Sequence, residues 1–279
     1  MASFIKLMNS NELLAQIKLK KSFLCVGLDV DLDKIPSHLL KLEDPIFEFN
    51  KQIILATHPY VVAYKPNTAF YEAYGIKGWL ALQKTIDFLN QNYPKIFTIA
   101  DAKRGDIGNT STRYAKAFFE GLNFDALTVA PYMGSDSVEP FLAFKNKITI
   151  LLALTSNKGG SDFQNLIVNN EALYLKVIKT ALTYKNSEQL MFVVGATRPE
   201  FFKEVRELIP NYFLLVPGVG AQGGTIDEVC KYGLTKNVGL LINSTRDIIY
   251  ASSGLDFAEK AKEKAMELQA KMGGYLSEL

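Results

Sequence analysis

Cysteine, histidine and tryptophan are scarce in this chain: of 279 residues, two are Cys, two are His and one is Trp. Cys25 and Cys230 cannot build a disulfide framework, so a reducing cytoplasm is the expected location. Cys25 sits in the apolar run Phe23-Leu24-Cys25-Val26 and reads as core packing, not as a reactive thiol. His38 and His58 are too few for a histidine-rich metal centre, and no metal is expected. An excess of one charge is missing as well. The 31 Lys and Arg against 29 Asp and Glu give +2, and no basic block points to nucleic acid or a membrane surface as partner. The densest basic stretch, Lys18 to Lys21, is broken by Leu19 and reads as the solvated end of an amphipathic helix. No apolar run approaches the roughly 18 residues of a spanning helix. Lys6 and Asn9 also interrupt the N-terminal stretch where a signal peptide would be continuously apolar.

What is present is a composition suited to a large core, 48% hydrophobic and 22% charged. Short β-rich runs recur at residues 23–28, 61–64, 97–100, 126–129, 148–154, 191–194, 213–216 and 238–242. Segments with helical periodicity separate them. Trp79, Leu82, Ile86 and Leu89 follow an amphipathic stripe, as do Phe202, Val205 and Ile209 after Pro199, which suits a first helical turn. A last helix is expected over residues 256–272, with Gly273-Gly274 as its stop. Eight β units alternating with helices, with no linker between them, predict an α/β fold: a (β/α)8 TIM barrel spanning residues 1–279 as one domain. A doubly wound open sheet is the alternative, but it would place functional loops at one switch point. Here the loop after nearly every strand is unusual: GLDVD, YKPN, DAKRGD, APYMG, TSNKGG, GATRPE, PGVGAQGG and NSTRD. A barrel gathers all such loops on one face, which favours the barrel.

Three of these loops carry chemistry. In DAKRGD, Asp101 and Lys103 are two apart at a strand end, so strand alternation points both side chains the same way. A buried lysine flanked by carboxylates keeps its proton, which makes it a proton donor and a poor nucleophile. Taken alone, the Asp-x-Lys-x-x-Asp spacing fits an ordinary ion pair at a helix start equally well, with Asp106 near the cap of a helix from Asn109. Asp29 after the first strand and Lys65-Pro66-Asn67 after the second would join them on the same barrel face. The third loop, Pro217 to Gly224, holds four glycines and precedes Thr225 at a helix start. Arg246 follows the next strand. Loops after strands seven and eight commonly hold phosphate in barrels, and glycine lets backbone N–H groups approach an anion. Arg246 adds a fork of donors matched to phosphate oxygens.

DAKRGDIGNT, together with GLD, KPN, TSN, PGVGAQGG and NSTR-x-IIYAS, resembles the orotidine 5′-phosphate decarboxylases, specifically their longer bacterial subgroup. The likeness runs from about Phe23 to Ser253. It implies a homodimeric barrel with shared active sites that converts orotidine 5′-phosphate to UMP and CO2 with no metal or organic cofactor. It further implies a charged network of Lys65, Asp101, Lys103 and Asp106. In that network Lys103 donates the proton to C6 and Asp101 faces the departing carboxylate. Asp106, Ile107 and Thr110 would reach the neighbouring subunit's site. Asp29, Lys65 and Asn67 would hold ribose hydroxyls, and Ser156, with Thr155 beside it, would contact the pyrimidine edge. Gln222 would bridge base and phosphate, while Gly218, Gly220 and Arg246 grip the phosphate. The sequence departs from the subgroup's usual pattern at Ala130, at Lys158 and at Asp247, where asparagine, proline and glycine are common. None of the three removes a residue with a catalytic role.

Two other readings compete. Sugar-phosphate decarboxylases and hexulose-phosphate synthases of related barrels share the Asp-x-Lys-x-x-Asp segment, need Mg²⁺ and generally lack the second-strand lysine. Lys65 and the intact PGVGAQGG loop stand against them. A non-catalytic nucleotide-binding barrel would have lost the charged network, which this sequence keeps.

Overall fold

A computed structural model of the chain describes residues 9–220 and 223–279; Lys6 and Gln222 lie outside the described residues. Its strands are β1 (Leu24–Gly27), β2 (Ala63–Lys65), β3 (Phe97–Arg104), β4 (Ala126–Val129), β5 (Ile148–Leu154), β6 (Ile167–Val168), β7 (Glu171–Ala172), β8 (Leu190–Val194), β9 (Leu214–Val216) and β10 (Leu240–Ser244). Eight of them close into a barrel in the order β1-β10-β9-β8-β5-β4-β3-β2, and β6 and β7 form a separate antiparallel pair inserted after β5. Barrel neighbours run parallel, as in β1 with β2, β4 with β5, and β8 with β9. Each of the eight expected runs overlaps a barrel strand, so the closed (β/α)8 barrel replaces the open-sheet alternative.

The strands read as nearly continuous apolar runs because parallel barrel strands are covered on both faces. The chain divides into two compact units. One comprises Met1–Ala102, Leu122–Asp125 and Asn243–Leu279; the other comprises Lys103–Gly121 and Ala126–Ile242. In the first, helix Pro45–Thr57 buries Ile46, Phe49, Ile53 and Ile54, and helix Phe257–Ser277 packs against it. The Phe49 and Phe257 rings stack with centroids 5.3 Å apart. Burying each such ring contributes roughly 1.5–3 kcal/mol. In the second unit, Arg206 is buried, pairs with no carboxylate among the described residues and donates to four carbonyls, those of Gly233, Ile209, Tyr212 and Gly239. Burial lowers its guanidinium pKa to about 10.

Several local expectations are corrected. The last helix, Phe257–Ser277, runs through Gly273-Gly274. A glycine in a helix interior costs only about 1 kcal/mol relative to alanine, and buried Met272 anchors that stretch. Trp79 is partly exposed, and the buried face of helix Gly75–Asn92 is carried by Ala81, Leu82, Ile86 and Leu89. Pro199 lies before helix Phe201–Leu208, where its carbonyl accepts from the Phe202 N–H. Lys20 is no solvated lysine: at the end of helix Ser10–Lys20 it donates to the carbonyls of His58 and Val61 at 2.7 and 2.8 Å. β10 begins two residues late because Val238 and Gly239 adopt φ of 63° and 68° in a tight turn. No helix among the described residues is long and apolar enough to cross a membrane.

Candidate active site

In the first unit the charged groups are Asp29 just past β1, Lys65 at the end of β2 and Asp101 within β3. Lys65, the last residue of β2, is buried, and its Nζ lies 2.7 Å from Asp101 Oδ2. Both side chains are nearly sealed from water, at 5% and 11% exposed. Burial by itself would push the Lys65 ammonium down. The carboxylates of Asp101 and Asp29 outweigh that, and its pKa ends above the ordinary lysine value. Lys65 therefore stays protonated. Asn67 is tied to both acids, because its N–H donates to Asp29 Oδ1 at 3.1 Å and its backbone bridges to Asp101. The structure thus gathers Asp29, Lys65, Asn67 and Asp101 into one connected group. Cys25 lies in the same layer, and burial pushes its thiol up to about 12, which fits the core role read from its neighbours. Arg246 is exposed and opens the one-turn helix Arg246–Ile249 directly after β10.

The second unit holds the rest of the DAKRGD segment. β3 extends four residues beyond the expected end, to Arg104, and the Ala130 N–H just past β4 donates to the Arg104 carbonyl. Strand alternation does not set the direction of Lys103, contrary to expectation. Its φ is 47°, in the left-handed region that residues with a Cβ seldom adopt. The Lys103 N–H is held by Thr128 Oγ1 at 2.9 Å, a contact from β4 that no sequence motif announces. Lys103 is exposed in the single chain, and Arg104 turns aside, its guanidinium 5.4 Å from the Tyr114 ring and 5.5 Å from that of Phe118. Asp106 precedes helix Gly108–Lys116. Its carboxylate accepts from the Ile107 N–H at 2.7 Å, and Ser111 Oγ bonds to its carbonyl. Ile107 and Thr110 are exposed on this chain.

After β5, Thr155 is fixed by a residue that no sequence motif marks. Gln164 accepts from the Thr155 N–H at 2.8 Å and donates to Thr155 Oγ1 at 2.9 Å. It sits in the insertion that carries β6 and β7, where one glutamine among polar neighbours gives no signal. Gly195, after β8, accepts Ser156 against its Cα; a Cβ there would meet the Ser156 backbone at 2.7 Å.

The glycine-rich loop after β9 takes the backbone shape that only glycine adopts readily. Gly218, Gly220 and Gly223 have φ of 96°, 81° and 94°. Three of its N–H groups are engaged within the loop: Gly220 donates to Gly224 O, Gly223 to Gly220 O and Gly224 to Gly218 O. The Gly220 N–H thus already has a partner. Thr225 caps helix Ile226–Gly233 by accepting from the Glu228 N–H.

Residues 22–264 match the model of the Orotidine 5′-phosphate decarboxylase / HUMPS family. A protein named orotidine 5′-phosphate decarboxylase from Flavobacterium johnsoniae is 67% identical, over 95% of this chain and 97% of its own. One of the same name from Christiangramia forsetii is 65% identical, over 98% of this chain and all of its own. Among solved structures, Leishmania donovani OMP decarboxylase superposes with a TM-score of 0.80 at 37% identity, covering 95% of this chain and 99% of that one. The Methanocaldococcus jannaschii orotidine 5′-monophosphate decarboxylase, complexed with the inhibitor BMP, gives 0.63 at 25% identity, covering 88% and 97%. Together with the barrel and its buried lysine–carboxylate pair, the match places the sequence: the chain belongs to the orotidine 5′-phosphate decarboxylase / HUMPS family.

Proposed function

We propose that the chain decarboxylates orotidine 5′-phosphate to UMP and CO2, the last step of UMP synthesis, and that Lys103 supplies the proton. The observation that carries this reading is the buried Lys65–Asp101 pair, 2.7 Å apart, from the end of β2 to the middle of β3. The sugar-phosphate branch of the family generally lacks the strand-two lysine and uses Mg²⁺ beside the acids. Here an ammonium already compensates Asp101, which argues for chemistry run on fixed charges.

In the reaction the C6–carboxylate bond breaks, CO2 leaves and the electron pair stays on C6. That sp² carbanion has no adjacent carbonyl to delocalise it, so a fixed cation is what lowers its energy. The Lys103 ammonium stabilises the pair and then donates its proton to C6, leaving a neutral amine that takes a proton back from solvent. Asp101, facing the departing carboxylate, is partly neutralised by Lys65. Repulsion of the substrate carboxylate is therefore secondary to stabilisation of the carbanion. Asp29, Lys65 and Asn67 hold the ribose hydroxyls, Thr155 and Ser156 the pyrimidine edge, and Gly218, Gly220, Gln222 and Arg246 the phosphate. For Gly220 to donate to phosphate its N–H must leave Gly224 O, which makes closure of this loop part of binding. Remote phosphate contacts then contribute to the rate through that closure.

The working unit of this reading is a cytoplasmic homodimer in which Asp106, Ile107 and Thr110 complete the neighbour's site. The exposed apolar side chains of Ile107, Tyr132 and Met133, 56%, 91% and 47% accessible in the single chain, support a covering partner. The test is loss of orotidine 5′-phosphate absorbance after exhaustive EDTA treatment. Undiminished decarboxylation is expected. Activity that vanishes and returns with Mg²⁺ moves the chain to the sugar-phosphate branch.

A further inference from the structure

We propose that Tyr250, backed by Tyr71 and Tyr74, is a positioning residue that clamps the loop carrying Asp29 and so sets how tightly the ribose is held. The proposal rests on the reading of Asp29 as a ribose ligand. The loop from Leu28 to Leu32 leaves β1 with one bond to β2, Leu28 N–H to Lys65 O at 3.2 Å, and three tyrosine hydroxyls meet the backbone groups that follow. Tyr71 Oη donates to Leu28 O at 2.7 Å. Tyr250 Oη donates to Asp29 O at 2.9 Å and accepts from the Asp31 N–H at 2.8 Å. Tyr74 Oη accepts from the Leu32 N–H at 3.0 Å.

Tyr250 is the member that spans Asp29, since one hydroxyl bonds the residue itself and the residue two further on. Its ring is fixed independently of those bonds. It stacks on Phe49 with centroids 6.0 Å apart and planes at 25°, and Lys34 Nζ lies 6.0 Å from its centroid. Lys34 is in turn paired with Asp31 at 2.8 Å. Burial, more than any neighbour, pushes the Tyr250 hydroxyl above its usual pKa, so it stays a neutral donor. The Tyr250 N–H bonds Arg246 O at 3.1 Å, so the helical turn that begins with the phosphate arginine ends on the residue that holds Asp29. A tyrosine serves here where phenylalanine would fill the same space, because only the hydroxyl reaches both backbone groups.

The experiment compares binding of UMP, 2′-deoxy-UMP and 3′-deoxy-UMP by calorimetry in the parent, Tyr250→Phe, Tyr74→Phe and Asp29→Ala. Tyr250→Phe keeps the stacked ring and loses two hydrogen bonds. Its preference for UMP over the deoxy analogue that lacks the Asp29-bound hydroxyl should fall about three- to tenfold, with that analogue's own affinity unchanged. Tyr74→Phe, one step farther from Asp29, should show a smaller fall of the same kind and stands in if Tyr250→Phe does not fold. Equal weakening of all three nucleotides, or an unchanged preference, overturns the clamp. If Asp29→Ala loses the preference and the tyrosine variants keep it, the clamp alone is wrong. If Asp29→Ala keeps it, the ribose assignment falls and takes the clamp with it.

Discussion

At the end of β2, Lys65 is sealed against Asp101 by a 2.7 Å ion pair, and Asn67 ties Asp29 into the same group. After β9, Gly218, Gly220 and Gly223 hold positive φ and bond chiefly to their own loop. The first region is set in the free chain: the Lys65 and Asp101 charges are desolvated and paired. The second has three of its N–H donors bonded to its own carbonyls and must exchange such bonds to receive an anion there. Charges that stabilise a transition state are most useful when they need no reorganisation at the moment of reaction. A phosphate grip benefits from the opposite, since binding energy released on closure can be directed to the reacting centre. Under the proposed function, the contrast fits chemistry at the first region and activation by a remote group at the second.

The largest effect should come from the loop side. Orotidine lacking its phosphate should lose kcat/KM by several orders of magnitude, and phosphite added separately should recover part of the rate. Arg246→Ala should lose activity on the phosphorylated substrate and gain nothing from phosphite. Steady-state kinetics on the two substrates checks both, and an Arg246→Ala protein as active as the parent removes this role from the loop.

Next is the sealed pair. Asp101→Ala leaves the Lys65 ammonium buried beside Asp29 alone. A loss of about 3–5 kcal/mol is expected when one partner of a buried pair is removed, read as a lower urea midpoint. Replacing both residues by apolar ones, Lys65→Met with Asp101→Leu, should recover much of that stability while activity stays absent. A single mutant as stable as the parent would show that the pair is less sealed than its geometry indicates.

Much of this was legible in the sequence, for identifiable reasons. The barrel strands announce themselves because burial on both faces demands nearly continuous apolar runs such as ITILLAL. Lys65, Asp101 and the glycine loop stood out because charged residues and glycine clusters at strand ends are conspicuous in type and spacing. Backbone conformation was not legible. Nothing in DAKRGD foretold that Lys103 would take φ 47°, because that turn depends on Thr128, a residue 25 positions away on β4. Gln164 was missed for the same kind of reason: its role comes from a tertiary contact with the Thr155 backbone. The last helix overran its glycine stop because packing outweighed a propensity term of about 1 kcal/mol.

The left-handed Lys103 gives a smaller and more discriminating test. Lys103→Gly removes the amine and also relieves the backbone, so the protein should lose turnover yet gain about 1 kcal/mol of stability. Thermal unfolding alongside Lys103→Ala separates the two effects, and a Lys103→Gly protein no more stable than Lys103→Ala would show that the backbone there carries no strain.

The smallest expected effect lies in pH dependence, where two lysines act with opposite signs. Burial lowers the Lys20 pKa to about 8, so between there and its unfolded value near 10.4 the unfolded chain binds the extra proton. Lys20's contribution to stability therefore rises with pH across that window. Lys65 is raised by its carboxylates, so its contribution is complete below about 10.4 and declines as pH climbs past that value toward its folded pKa. Urea midpoints from pH 7.5 to 11 for the parent and for Lys20→Met should diverge from about pH 8 upward, the parent rising relative to the variant. Parallel curves would place Lys20 in water.

The claim at the centre of this account is that one fixed ammonium, on Lys103, both stabilises the C6 carbanion and protonates it. Its most direct test is turnover of orotidine 5′-phosphate by Lys103→Ala, with UMP binding measured on the same preparation. The account predicts a folded protein that still binds UMP and forms no measurable UMP from substrate. Substantial decarboxylation by that folded variant would contradict it.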